Sequence, residues 1–249
     1  MIQREGPETI GAFFAEPVMG AGGVIVPPAT YFDKIQPILK KHDILFVVDE
    51  VICGFGRTGN MFGTQTYNLK PDMISVAKNL SSAYLPISAL MINERVFQGM
   101  VTESEKIGTF GHGFTYSGHP VAAAVALETL KIYAELDIVG RVRKVGPRLQ
   151  AGLNKLGAHP LVGEARGVGL LGGLELVKDK KTKESFDPKK LVGAYVAKRT
   201  EAHGLIVRAI GDTIAICPPM IIEEAQIDQL IERLGRALDD TAAWLSHND

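Results

Sequence analysis

Two apolar runs that stop at charged residues constrain the fold of this chain more than any other feature. ILFVVDEV (residues 44–51) brings Asp49 to its end, and PDMISVAK (71–78) ends on Lys78. A buried run that closes on a carboxylate or an amine sets that group at a strand's carboxyl end, where open α/β sheets bind ligands in the crevice beyond the strands. Asp49 and Val51, two residues apart, are expected on one strand face and Glu50 on the other. Lys78 follows MISVA, a run with no polar side chain beyond serine. Burial there is expected to favour the neutral amine, the form that attacks a carbonyl.

Taken singly, each residue has a plainer reading. A strand-end carboxylate often satisfies nearby backbone groups, and a lysine often carries its ammonium out to water. An apolar strand ending in DE also matches the magnesium strand of P-loop ATPases, but the GxxxxGK[ST] loop that such a site needs does not occur.

The surrounding pattern is α/β. GAFFAEPVM and DILFVVDEVICGF read as buried strands, and PPATYFDKIQPILKKH between them as a helix opened by two prolines, which makes a parallel crossover unit. PDMISVAK adds a third strand and YLPISALMIN a fourth. After the glycine-rich GTFGHGFTYSGHP, the run PVAAAVALETLKIYAEL reads as a helix with Pro120 at its first position. A boundary is expected near residues 138–146, dividing the chain into 1–140 and 141–249. The second part is expected to be small and α+β: a helix at RLQAGLNKL, strands at GVGLLGGLELV, LIVRAI and TIAICPP, and helices at LVGAYVAKRTEAHG and EEAQIDQLIERLGRALDDTAAWL. VKDKKTKESFDPKK reads as a solvated connection.

Composition narrows the partners. With 46% hydrophobic residues and a net charge of −1 over 249 residues, the chain can bury a sizeable core and has no basic field for nucleic acid or an anionic membrane. No run reaches membrane-spanning length, so small polar ligands are expected. Cys53 and Cys217 lie far apart and outside any CxxC pairing, which fits a reducing, cytoplasmic setting. His112 and His119 lack the further ligands of a metal site, and none is expected.

VVDEVICGFGRTG, PDMISVAKNLSSAYLPI and HGFTYSGHPVAAAVALETL, in this order, resemble the class III (omega) aminotransferases of the pyridoxal-phosphate fold-type I family. AEPVMGAGGVIVPP and GLIVRAIGDTIAICPP agree with the same family. The resemblance implies pyridoxal 5'-phosphate as cofactor, and a partial large domain of mostly parallel sheet followed by the small domain. It makes Lys78 the Schiff-base lysine and proton carrier, Asp49 the partner of the pyridine nitrogen, and Val51 the residue packed on the ring. Thr115, with Phe114 beside it in GFTYSG, matches the threonine that reaches the cofactor phosphate of a neighbouring subunit, which implies a homodimer. Arg208 falls where pyruvate-using members bind a substrate carboxylate. Glu16 matches the glutamate of the family's EP motif and is taken as a substrate-side residue. Where ornithine- and GABA-type members read EPxxGE this chain has Ala21, which leans the expected pair towards pyruvate with an amine or amino acid.

The Gly-Ser phosphate turn and the ring-stacking aromatic that family members carry before the EP strand are not found, so the chain is expected to be the C-terminal portion of such an enzyme. Two rival expectations follow. One is a catalytically silent fragment or half of a split enzyme. The other is an aminomutase or decarboxylase that shares Lys78 and Asp49.

Overall fold

The computed structural model describes residues 1–248. They form two compact units, one of residues 1–17, 27–55 and 60–137, the other of 18–26, 56–59 and 138–248.

The first unit opens with a single helical turn, α1 (Ile2–Glu5), and then builds a four-stranded sheet in the order β1-β2-β3-β4. β1 (Ala12–Ala15) leads through α2 (Tyr31–Lys41) to β2 (Leu45–Asp49), and the two strands are parallel, as a helical crossover requires. Phe32 and Leu39 of α2 pack on Ile44, Phe46 and Val48. Pro27 and Pro28 stand before this helix and not within its first turn: Tyr31 N–H bonds the Pro28 carbonyl and the helix starts there. After a short helix, α3 (Gly63–Thr66), β3 (Met73–Val76) joins β2 in parallel, and β4 (Ala89–Ile92) is antiparallel to β3. The connection between the last two holds only a 3-10 turn at Lys78–Leu80, with no helix to carry the chain back for a parallel return.

α4 (Glu94–Ile107) was not foreseen from the pattern of apolar residues, although its ends carry standard signals. Asn93 Oδ1 accepts the Val96 amide at 3.0 Å, and Gly108 follows the last turn in the left-handed region at φ 75°. α5 (Pro120–Glu135) has Pro120 at its first position, as expected.

The long segment of the second unit opens with α6 (Ile138–Leu156), which starts ten residues before the helix expected at RLQAGLNKL. Ile138, Val142, Val145, Leu149 and Leu153 form one buried stripe at helical spacing that runs straight past Pro147. The run GVGLLGGLELV is a hairpin and not one strand, because Gly169 takes φ +56° and turns the chain between β5 (Val162–Val168) and β6 (Leu171–Leu176). α7 (Val192–Ala202), β7 (Arg208–Ile210), β8 (Thr213–Ile216) and α8 (Glu224–Asn248) complete an antiparallel sheet ordered β5-β6-β8-β7 with its helices. Asp240 of α8 receives Arg199 and His203 of the α7 end at 2.6 and 2.8 Å, and the Arg199 bond first, then His203, holds its carboxyl below the usual range.

Leu149, Leu153, Leu174, Ile214, Leu234 and Leu238 have no more than 1% exposure and make the core of this unit. Leu149→Ala is expected to cost about 2–5 kcal/mol, the range for a cavity in a packed core, and to lower the urea midpoint. Ile206→Ala, at a position 86% exposed, should change the stability by less than about 0.5 kcal/mol. Equal shifts for the two would contradict the packing described. No helix among the described residues is long and apolar enough to cross a membrane.

Candidate active site

The first three strands end side by side. Ala15 of β1 pairs with Val48, and Asp49 of β2 with Ser75 of β3. Glu16 therefore follows beside Asp49, and Lys78 stands three residues beyond Ser75, so three chemically competent side chains share the carboxyl edge of one sheet.

β2 stops at Asp49, so Val51 does not share a strand face with it: Val51 lies in the turn that follows. What relates the two is a hydrogen bond, Val51 N–H to Asp49 Oδ1 at 2.8 Å. It fixes the half-buried carboxylate by one oxygen. Among the described residues no hydrogen bond holds the other oxygen.

Lys78 also departs from expectation. β3 ends at Val76, and Lys78 opens the 3-10 turn with its side chain exposed rather than desolvated. The residues of β3 before Val76 are themselves only half-buried, and the side chain leaves the sheet edge instead of continuing its apolar face. The backbone there is strained: Lys78 sits at φ 45°, a region that costs a side-chain-bearing residue about 1–2 kcal/mol. Strain of this kind persists where the surroundings enforce it, and here they do. The Ser81 and Ala83 amides both bond the Lys78 carbonyl, the Tyr133 hydroxyl of α5 donates to the Asn79 carbonyl at 2.9 Å, and Leu80 packs with Phe55, Val76 and Ala126. Among the described residues no hydrogen bond or ion pair engages the Lys78 amine.

Glu50 is a functional candidate that the sequence reading passed over. It has no exposed surface. Its Oε2 accepts the Gly63 amide at 2.8 Å and its Oε1 the Thr64 amide at 2.6 Å, at the start of α3. Burial pushes the carboxyl's pKa up, the amide bonds oppose that, and the neighbouring Asp49 charge adds to it. Assigning Glu50 to the face opposite Asp49 was the available signal. The partners that make it a clamp lie thirteen and fourteen residues on, and no local pattern announces them.

A raised folded-state value means that Glu50 contributes its stability below the ordinary glutamate value of 4.5 and loses it as the pH rises through the folded-state value. The stability of the wild type minus that of Glu50→Gln is therefore expected to fall as the pH is raised from 4.5, read as urea midpoints at successive pH. A difference that grows with pH would contradict this.

The remaining expected residues are not gathered by bonds within the chain. Phe114 and Thr115 occupy an exposed loop before α5, where the Phe114 amide donates to Ser117 Oγ and the Phe114 ring meets His112 at 6.0 Å. Among the described residues no hydrogen bond or ring contact links them to Asp49 or Lys78. Arg208 is exposed at the start of β7, in the second unit.

An uncommitted amine and a carboxylate with one unengaged oxygen, on neighbouring strand ends, suit a group that has a carbonyl at one end and a ring nitrogen at another. The donor set therefore fits pyridoxal phosphate.

The aminotransferase class-III family model matches residues 1–238. A gamma aminobutyrate transaminase 3, chloroplastic, of Solanum lycopersicum is 56% identical over 241 residues, which cover 97% of this chain and 46% of that protein. A solved transaminase with L-ala is 56% identical at a TM-score of 0.96, covering 98% of this chain and 57% of the other. The omega transaminase of Pseudomonas jessenii in complex with PMP has a TM-score of 0.96 and 53% identity, covering 98% and 54%. The chain thus spans about half the length of the curated relatives it matches. On these matches, this chain belongs to the class-III aminotransferase family.

Proposed function

We propose that this chain carries the Lys78–Asp49 part of a transamination centre that moves an amino group from an amine or ω-amino acid to an oxo acid, with pyruvate as the acceptor. Class-III aminotransferases depend on pyridoxal phosphate. When bound, the cofactor supplies a carbonyl that exchanges amines and a ring that accepts the electron pair released when a C–H bond breaks.

The work of the chain's own residues follows from their chemistry. Lys78 Nζ would hold the cofactor at its carbonyl end, and as a neutral amine it would act as general base on the proton of the donor's amine-bearing carbon. The Asp49 carboxylate keeps a proton on the ring nitrogen, because an opposite charge favours the protonated form. Val51 covers the ring face. Thr115 and Phe114 serve the phosphate end in a neighbouring copy, which makes the working unit a homodimer, and Arg208 receives the oxo acid's carboxylate through its two-pronged guanidinium. Glu16, on the same sheet edge, is a substrate-side carboxylate.

The observation that carries this reading is the register of β2 on β3, which brings the Asp49 and Lys78 strand ends together. The solved relative with L-ala supports pyruvate, whose amino form is alanine, while the tomato relative's name supports an ω-amino donor. Neither cysteine forms a disulfide, in keeping with a reducing compartment. Incubation with pyridoxal phosphate, pyruvate and γ-aminobutyrate should yield alanine. Alanine absent with every amine donor, while 2-oxoglutarate is converted to glutamate, would remove pyruvate as the acceptor.

The shares of 46% to 57% of its relatives favour a second reading, in which turnover also needs residues from a further polypeptide segment. Covalent capture of cofactor by the chain with alanine formed only after the missing portion of a relative is added would select it.

A further inference from the structure

Resting on the cofactor site above, we propose that Glu50 is a positioning residue: by clamping the first turn of α3 as a buried carboxylate, it holds the Asp49–Val51 turn and so aims the Asp49 carboxylate. Glu50 is tied at three points. Its amide donates to the Ser75 carbonyl of β3 at 2.9 Å, its carbonyl accepts the Gly54 amide at 2.9 Å, and its two carboxylate oxygens take the Gly63 and Thr64 amides. The first tie joins the strand end that bears Asp49 to the strand that leads to Lys78. The second closes the turn containing Val51, whose amide orients Asp49. The third ties Glu50 to the first two residues of α3, beyond the loop that follows.

The clamp is selective for a carboxylate and for glycine. Each oxygen accepts one backbone donor, an arrangement that a carboxamide, with N–H at one end, can satisfy only by half. A Cβ on Gly63 would lie 2.7 Å from Pro17 Cβ, so the turn of α3 approaches the chain after β1 closely enough to exclude any side chain there. A buried charge whose ionisation opposes folding is retained more readily for a site than for stability. The titratable group whose charge bears on it is Asp49 on β2; Cys53, three residues on, packs against Gly63, and β3 meets it with the Ser75 carbonyl.

Amide hydrogen exchange on the whole chain, followed by NMR, tests the role. Glu50→Gln should speed exchange of the Val51 amide together with that of Gly63 or Thr64 by about tenfold, the effect of losing one bond to a charged acceptor. The Leu45 amide, held by the Gly11 carbonyl at 3.0 Å in the same sheet, should be unchanged. A merely structural role would speed all of them alike, and that result, or no change at Val51, overturns the proposal.

Should Glu50→Gln not fold, the wild type still decides. As the pH moves through the titration of the Glu50 side-chain carbon, the Val51 amide shift must carry the same midpoint. A Val51 shift that follows only the Asp49 side-chain carbon overturns the proposal. Reductive labelling of Lys78 by pyridoxal phosphate reports on the cofactor reading separately: label without the Glu50–Val51 coupling removes the Glu50 role alone, and no label removes the cofactor reading and this role with it.

Discussion

Lys78→Ala is expected to lower amino transfer by at least about 10⁴-fold, the upper range of what one positioned general base supplies, because in the proposed centre the same amine would both anchor the cofactor and carry the proton. Two roles on one atom make the variant's phenotype distinctive. A protein that lost only the base would still hold the cofactor, whereas this one should release it on gel filtration. Small primary amines added to Lys78→Ala should restore part of the rate, since the lysine is exposed and its turn is held by residues other than its own side chain. Turnover measured with and without added methylamine checks this. A Lys78→Ala protein within tenfold of wild type would end the assignment.

Asp49→Asn is the second large effect. If Asp49 has its proposed role, the substitution leaves its shape intact and removes its attraction for a protonated ring nitrogen. Breaking a paired charge costs about 3 kcal/mol at the lower end of the buried range, which suits a half-buried carboxylate, and that corresponds to about a hundredfold in rate. Covalent capture at Lys78 should persist in Asp49→Asn, because attachment of the carbonyl needs the amine and not the ring's charge. Rate and capture therefore separate the two residues. Loss of both together would mean that Asp49 acts by holding the turn rather than by its charge, since its Oδ1 also fastens the Val51 amide.

The parts of the fold legible in the sequence are those written in local chemistry. Apolar runs stopping at Asp49 and near Lys78 announced strands β2 and β3, and Pro120 announced the start of α5. What stayed hidden depends on partners far along the chain. The placing of residues 18–26 and 56–59 with the second unit leaves no trace in periodicity. The start of α6 at Ile138 was masked by Pro147, which reads as a breaker although the buried stripe continues through it. α4 was overlooked although Phe97, Met100 and Val101 stand at helical spacing between its Asn93 and Gly108 ends; that apolar face is not buried within the chain.

The candidate site divides in the same way. Asp49 and Lys78 were visible as residue types out of place at strand ends. Their surroundings were not: the alternation argument that put Val51 on a strand failed because β2 ends two residues earlier, and the desolvation expected at Lys78 is not supplied by this chain's own residues. Glu50 was visible only as the wrong face of a strand. Its importance comes from two amides across a loop, a relation that only the folded chain expresses.

The central claim is that one amine, Lys78, receives the cofactor's carbonyl. Borohydride reduction of the chain with pyridoxal phosphate, followed by digestion and mass spectrometry, tests it most directly. The account predicts a phosphopyridoxyl adduct on the peptide bearing Lys78 and none in Lys78→Ala. An adduct spread over other lysines, or one surviving in Lys78→Ala, would contradict it.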